Sequence, residues 1–374
     1  MATHRLLLAG GGHSHVEVLR RFAAHGRTAD VGVVSPHRHT LYSGMLPGVI
    51  AGHYAPEEAS IDVAALAAHA GARFTSDRVA ALDLEARIAH LQSGATLRFD
   101  TLSLDVGSVP ASVSWSSAAR VVGVKPAEPL LDHWVTWLDA IAAGEIRSIA
   151  VIGGGAGGIE VLLAMHHRLK ALGLAPDFTL VSDRWSVPPA VQRALVRELQ
   201  RRAVRLAIGS VVVDVRDEVI TLVSGAVVRA DRILVATSAG ALPWIRDSGL
   251  ACDADGFALV DDTLRSGSHP FVFASGDCAA IMGAPRPKAG VFAVRQGPYL
   301  AHNLRATVDG GALRRYRPQR AWLAIVTTGG QCAIATRSGL AISGRFVWRW
   351  KNRIDRAFIA RYRVGAPDDA RTEG

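Results

Sequence analysis

An α/β fold with two Rossmann-like dinucleotide-binding units is predicted by three stretches of the 374-residue sequence. LLLAGGGHSHVEVLRRF, starting at Leu6, recurs as IAVIGGGAGGIEVLLAM, starting at Ile149. In each, an apolar run of strand type enters a glycine turn and a helix with an apolar face follows. The third stretch, HPFVFASGDCAAI, carries an apolar strand, Phe271 to Ala274, that delivers Gly276 and Asp277 at its C-terminal end. One such unit suits any dehydrogenase. Two in one polypeptide suggest two nucleotides, one passing electrons to the other.

The first turn places Gly10 and Gly12 where the backbone must approach a pyrophosphate, and the next residues, His13, Ser14 and His15, open a helix whose free N–H groups face the phosphate charge. His15 stands where the third glycine of G-x-G-x-x-G would be, so the closest helix-to-strand packing is not expected here. A ring nitrogen of His13 or His15 can donate to a phosphate oxygen, whereas a metal site would need more ligands nearby, since His37 and His39 lie on a separate loop. The residue ending the second strand, after VGVV, is Ser35. An acidic residue usually takes the ribose hydroxyls there, so a charge-assisted contact is missing.

The second turn is complete: Gly153, Gly155 and Gly158 follow Val151 and Ile152, and Ile159 to Met165 give the helix its apolar face. Glu160, early in that helix, either complements the helix dipole or faces a nicotinamide. After FTLV comes Ser182, then Asp183 and Arg184. Asp183 favours a free ribose 2′-hydroxyl and Arg184 a 2′-phosphate, which leaves NADH and NADPH both open. Asp277 is placed to accept hydrogen bonds from ribityl hydroxyls, or to cap the turn in which it lies.

Together these stretches resemble the two-dinucleotide-domain flavoproteins of the pyridine nucleotide-disulfide oxidoreductase superfamily, in which Asp277 matches the aspartate that holds the flavin's ribityl chain. The C-x-x-x-x-C pair of the flavin disulfide reductases is absent, HTLYSGMLPGVIAG standing in its place. The chain is more similar to the type II NADH dehydrogenase and sulfide:quinone reductase branch. YSGMLPGVIAG, from Tyr42, looks like that branch's loop after the second strand. Pro287, Lys288 and Gly290 match the P-K-x-G of the sulfide enzymes, and Gln296 with Gly297 the Q-G of the NADH dehydrogenases. GGGHSHV, YSGMLPG, KAGVFAVRQGP and GRFVWRWKNRIDRAF, in that order, resemble more narrowly the flavoprotein module found alone or fused ahead of selenide, water dikinase, here in its free-standing form.

The resemblance implies a discontinuous FAD-binding domain over residues 1–108 and 253–312, an NAD(P)-binding-type domain over 109–252 inserted in it, and a C-terminal flavin-covering domain over 313–374. It implies FAD as cofactor, NADH or NADPH as co-substrate and a small-molecule electron acceptor, a quinone by analogy. Hydride would pass from NAD(P)H to flavin N5, with the flavin carrying the chemistry. Lys288 and Gln296 are the catalytic candidates. Lys288 either stabilises negative charge on the reduced flavin or makes a surface salt bridge. Two other readings stay open: a flavoprotein that oxidises a sulfur or selenium species, and a non-catalytic flavin-binding partner or sensor linked to selenium metabolism.

Composition bounds these readings. A chain 49% hydrophobic and 20% charged can bury large cores in two or three domains. Three cysteines, Cys252, Cys278 and Cys332, are too few for a disulfide scaffold and wrongly placed for a two-cysteine sulfide mechanism, and they read as small buried hydrophobes in a reducing cytoplasm. No apolar run is long enough to span a bilayer, and Met1 to Arg5 leads directly into the first strand without the pattern of a signal peptide. Trp134 and Trp137 in LLDHWVTWLDAI share a helix face and read as core packing.

The net charge of +9 is unevenly spread. From Arg345 to Arg363 seven basic residues accompany one acid, Asp355, while Phe346, Trp350, Ile354, Phe358 and Tyr362 recur at helical spacing. Such a helix either lies on an anionic membrane, peripheral on its cytoplasmic face, or packs its aromatic side over the flavin domain with its arginines solvated. No nucleic-acid recognition motif accompanies the charge. Oligomeric state is not indicated by the sequence.

Overall fold

Strands buried on both faces belong in parallel sheets covered by helices, and the near-continuous apolar runs RLLLA, DVGVV, SIAVI and DFTLV take that place. The computed structural model describes residues 3–26, 29–111, 114–115, 120–319 and 321–365, so residues 320 and 366–374 of the expected C-terminal segment lie outside it. Two five-stranded parallel sheets share the order of four strands and differ in where the fifth, at one edge, comes in the chain. The first runs Val272–Ala274, Thr101–Leu104, Arg5–Ala9, Asp30–Ser35, Arg73–Ser76. The second runs Val121–Gly123, Arg232–Val235, Ser148–Ile152, Asp177–Ser182, Arg205–Ile208. The edge strand Val272–Ala274 of the first sheet arrives only after the whole second sheet.

Alternation along these strands divides the core. Leu6, Leu8, Val31 and Val33 point into a cluster that continues under the second sheet through Ile149 and Val151. Leu7, Ala9 and Val34 point the other way, onto the antiparallel strands Val79–Asp83 and Ile88–Leu91 and onto Ile245 and Leu250. Trp134 and Trp137, on the helix Ala127–Ala142, are buried in the shared cluster, as their spacing suggests.

The chain ends in an antiparallel sheet of Ala324–Thr327, Ala333–Arg337 and Leu340–Gly344, followed by the helix Arg345–Arg361. The expected single aromatic face of this helix is divided in two. Phe358 stacks on Tyr42 with ring centroids 4.2 Å apart, and Tyr362 donates its hydroxyl to Glu17 at 3.1 Å, so both are buried. Phe346, Trp350 and Ile354 remain 60%, 45% and 41% exposed. Lys351 and Asp355 pair at 2.5 Å on the buried side, and Lys351 also donates to the Gly44 carbonyl.

The helix Gly290–Asp309 crosses the first-unit helix His13–His25 where Gly297 faces Glu17. A Cβ on Gly297 would lie 2.7 Å from Glu17 Cβ, so this crossing requires glycine. Glu17 is buried there, and although burial works against its charge, the guanidinium groups of Arg20 and Arg21 hold its carboxyl below the ordinary range. Gly297→Val should therefore force the helices apart and loosen this buried charge group, at about 1–3 kcal/mol by analogy with overpacked cores. Urea unfolding should show the loss, with Gly297→Ala intermediate.

Candidate active site

Both glycine turns lie at the C-terminal ends of their central strands, where an open parallel sheet binds its ligand. Gly10 and Gly153 have φ of +99° and +130°. Each lies so close to a neighbouring strand end that a Cβ would come within 2.2 Å of a carbonyl oxygen, of Asp105 and Ala236 respectively. Only glycine satisfies both demands. Helices follow at once, His13–His25 after the first turn and Ala156–Ala171 after the second.

The second turn opens on a cleft of about 500 Å³, lined by Gly153 to Gly155, Gly157, Gly158, Ser182 to Arg184, Thr237, Lys125 and Lys288. A Cβ on Gly155 would meet nothing within 4 Å, and one on Gly158 would strike Ala236 Cβ at 2.7 Å. The second glycine thus faces open space in the cleft, and the third lets helix and strand approach. Ser182 is already engaged: its hydroxyl accepts from Gly154 N–H at 2.9 Å and donates to the Arg184 carbonyl at 2.8 Å. It shapes the turn, and the exposed Asp183 and Arg184 side chains are left to line the cleft.

In the first unit the residues picked from sequence divide into turn braces and groups facing the ligand side. His15 belongs to the braces, contrary to the expectation of a phosphate contact. Its Nδ1–H donates to the Gly10 carbonyl at 2.7 Å, which leaves Nε2 to accept from the Ser103 hydroxyl at 2.8 Å. Burial holds this imidazole neutral, its pKa pulled down to about 4 against the pull of the Gly10 carbonyl. Ser14 likewise turns its hydroxyl to the Ala293 carbonyl at 2.8 Å, and Ser35 lies buried beneath Gly11.

His13 is different. Its Nε2 is shielded from solvent and has no hydrogen-bond partner among the described residues, while its ring sits edge-on to Tyr42 at 5.5 Å. Burial lowers its pKa to about 4, with Asp277 opposing and Lys125 assisting. An unpaired buried ring nitrogen at the head of a phosphate-binding helix fits a dinucleotide cofactor, as does the glycine cradle beside it.

Asp277 lies in the short turn Gly276–Cys278 beyond Val272–Ala274, where Lys125 donates to its carboxylate at 2.5 Å and Ser108 at 3.2 Å. Gln296 accepts from the Gly276 N–H at 2.7 Å and so fixes this turn from the helix Gly290–Asp309. Lys288 donates to the Ala279 carbonyl at 2.5 Å, its ammonium 3.7 Å above the Phe257 ring. Burial draws its pKa down. Lys288 borders the second-unit cleft and a smaller one that contains Gly276, Asp277 and Gln296. It is the one sequence-picked side chain common to both. Glu160 turns away from the turn and accepts from Thr327 N–H (2.6 Å) and Thr327 hydroxyl (2.9 Å), joining the second unit to the C-terminal sheet. Burial raises its pKa, with Lys351 opposing.

Sequence reading missed Asp105, Lys125 and Ser108. Asp105 directly follows the strand Thr101–Leu104, as Ala236 follows Arg232–Val235, so comparing the last strands of the two units as well as their turns would have exposed it. Cys252, Cys278 and Cys332 are free thiols, and burial pushes Cys278 up to about 12, where it stays protonated. Among the described residues no cluster of metal-ligating side chains occurs, and no helix is long and apolar enough to cross a membrane.

The profile of the family described as pyridine nucleotide-disulphide oxidoreductase matches residues 4–303. Ferroptosis suppressor protein 1 of Xenopus laevis is 24% identical over 266 residues, 66% of this chain and 66% of that protein. Type II NADH:quinone oxidoreductase of Haemophilus influenzae is 24% identical over 187 residues, 46% of this chain and 42% of that one. The chain thus spans just under two thirds or less of these relatives' lengths. Sulfide:quinone oxidoreductase of Aquifex aeolicus superposes with a TM-score of 0.79 at 16% identity, over 96% of this chain and 91% of that chain, a likeness of fold.

The brace role of His15 can be tested directly. His15→Ala leaves the Gly10 carbonyl and the Ser103 hydroxyl buried and unpaired, at about 1–3 kcal/mol for each group. The urea midpoint should fall accordingly. An unchanged midpoint would show that the ring does not hold the turn.

Proposed function

The chain belongs to the pyridine nucleotide-disulphide oxidoreductase family, and we propose that it is an FAD-dependent NAD(P)H oxidoreductase that delivers electrons to a separate small-molecule acceptor, a quinone. The observation that carries this reading is the 500 Å³ cleft, which runs from the complete glycine turn and Lys125 of the second unit to Lys288, contributed by the first. A nicotinamide nucleotide would be held by the Gly153–Gly158 turn, in the cleft that Lys288 also borders. FAD would be held by the first unit, its pyrophosphate by the Gly10–His13 turn and its ribityl hydroxyls by Asp277, with the unpaired His13 Nε2 free to meet it. When bound, the flavin supplies the chemistry, accepting a hydride from NAD(P)H and passing electrons onward.

The protein's own residues orient and insulate. Gln296 fixes the Gly276 turn, and Lys125 positions the Asp277 carboxylate. Tyr42 and Phe358 form an aromatic wall beside His13. Lys288, partly desolvated and lining both clefts, would favour negative charge developing there through its N–H donors. The cysteines offer little to a sulfur or selenium donor, since the buried Cys278 is held as a thiol.

We propose further that the acceptor is reached at an anionic membrane surface. Phe346, Trp350 and Ile354, with Leu340 and Ile342 of the preceding strand, form an exposed apolar patch interleaved with the exposed Arg345, Arg349 and Arg353. Lys351 and Arg356 are not part of it, because they pair with Asp355 and Glu58.

Two measurements test these readings. Mixed anaerobically with NADH or NADPH, the holoprotein should bleach its flavin rapidly. Gly155→Val, whose side chain would enter open space and spare the fold, should keep its flavin and lose the bleaching. Absence of bleaching in the parent protein would remove NAD(P)H as donor. In vesicle co-sedimentation, the protein should pellet with anionic vesicles and be released in steps by salt, each arginine contributing about 1 kcal/mol. Replacing Phe346 and Trp350 by serine should weaken pelleting even at low salt. A protein that stays in the supernatant there has no membrane-docking surface in this helix.

A further inference from the structure

The two glycine turns share an internal geometry, so a single difference between them stands out. Asp105 and Ala236 occupy equivalent positions, each one residue past the strand paired with the first strand of its unit and each with its carbonyl oxygen beneath the leading glycine. The side chains differ completely. In front of Gly155 there is open space, whereas a Cβ on Gly12 would lie 2.3 Å from the Asp105 carboxylate.

That carboxylate is held as an anion would be. Asp105 is 4% exposed, and its Oδ2 accepts from the N–H groups of Ser14 at 2.8 Å and His15 at 3.2 Å, the second and third residues of the helix. Gly276 bounds it on another side, where a Cβ would come 2.5 Å from Oδ1. The first turns of helices attract negative charge, and one set of amides cannot serve two anions at full strength.

Resting on the placement of FAD in the first unit, we infer that Asp105 competes with the flavin's pyrophosphate for this helix N-terminus, and that binding of the flavin nucleotide moves one proton from solvent onto the Asp105 carboxylate. The proton cancels the repulsion between the carboxylate and the phosphates and gives the carboxyl an O–H to donate to a phosphate oxygen. Burial already raises Asp105 to about 7, reinforced by Asp277 and opposed by the His15 and Ser14 amides. The added phosphate charge raises it further.

The titratable groups around Asp105 come from three directions. His13 and His15 on the helix are held neutral by burial, both at about 4. Asp277 is paired with Lys125, and Cys278, with Lys288 nearby, is pushed up to about 12 by burial. Neither the imidazoles nor the thiol titrates between about pH 6 and pH 9, the window in which proton linkage through Asp105 appears.

The test is calorimetric titration of FAD into protein stripped of its flavin, in two buffers of different ionisation enthalpy. Above about pH 7 the binding should take up nearly one proton, and affinity should fall by up to about tenfold per pH unit. Asp105→Asn should bind FAD more tightly at pH 8 than the parent and without proton uptake. Asp105→Ala, which copies Ala236, should do the same and serves if the asparagine variant folds poorly. Binding by the parent protein with no proton uptake at any pH overturns the inference while leaving the flavin site in place. Undiminished FAD binding by Gly12→Val overturns instead the placement of flavin on this turn, and the inference with it.

Discussion

The contact between a left-handed glycine and the carbonyl oxygen at the end of the neighbouring strand is the constraint on which both halves of the protein depend. It is made by Gly10 over Asp105 and by Gly153 over Ala236, and in each case it sets how closely the turn lies on the sheet. The helix that follows inherits its position from that contact, and the direction of its free N–H groups comes with it. In the first unit, His15 reinforces the arrangement by clamping the Gly10 carbonyl to Ser103 on the strand that carries Asp105. A histidine here replaces close packing with hydrogen bonds.

The C-terminal segment joins the two units through contacts with the helix that follows each glycine turn. Thr327 receives Glu160 from the second unit, Tyr362 receives Glu17 from the first, and Phe358 packs against Tyr42 and His13. Glu17 is itself pressed against Gly297, so the closing helix, the first-unit helix and the long helix before the C-terminal sheet meet around one buried carboxylate. Displacement of any one of the three would be felt by the other two.

Much of this was legible in the sequence because the signals were local. Gly10, Gly153 and Gly158 announce themselves by spacing, and the apolar runs before them fix two parallel sheets. Trp134 and Trp137 show their burial by period alone. What escaped was set by contacts distant in sequence. Asp105 lies 90 residues from His15, whose amide it accepts, and in sequence an aspartate after a strand looks like an ordinary turn residue. The roles of His15 and Ser182 were hidden for the same reason, since only the folded turn shows that their polar atoms are already paired. The helix Arg345–Arg361 reads as one amphipathic stripe, yet the loop bearing Tyr42 and Gly44 meets it at Lys351 and Phe358 and leaves Phe346, Trp350 and Ile354 exposed.

The late arrival of Val272–Ala274 has a consequence for biogenesis. As the chain leaves the ribosome, Thr101–Leu104 presents an unpaired edge until some 170 more residues have been made, and the turn bearing Asp277 is absent for the same interval. The second unit, continuous from Val121 to Val235, can complete its sheet first and then serves as a folded body on which the two pieces of the first are brought together. Completion of the first sheet is thereby deferred until after the second. A chain truncated between residues 236 and 271 would emerge with the second sheet complete and one open edge on the first, the kind of product that quality-control proteases and chaperones recognise.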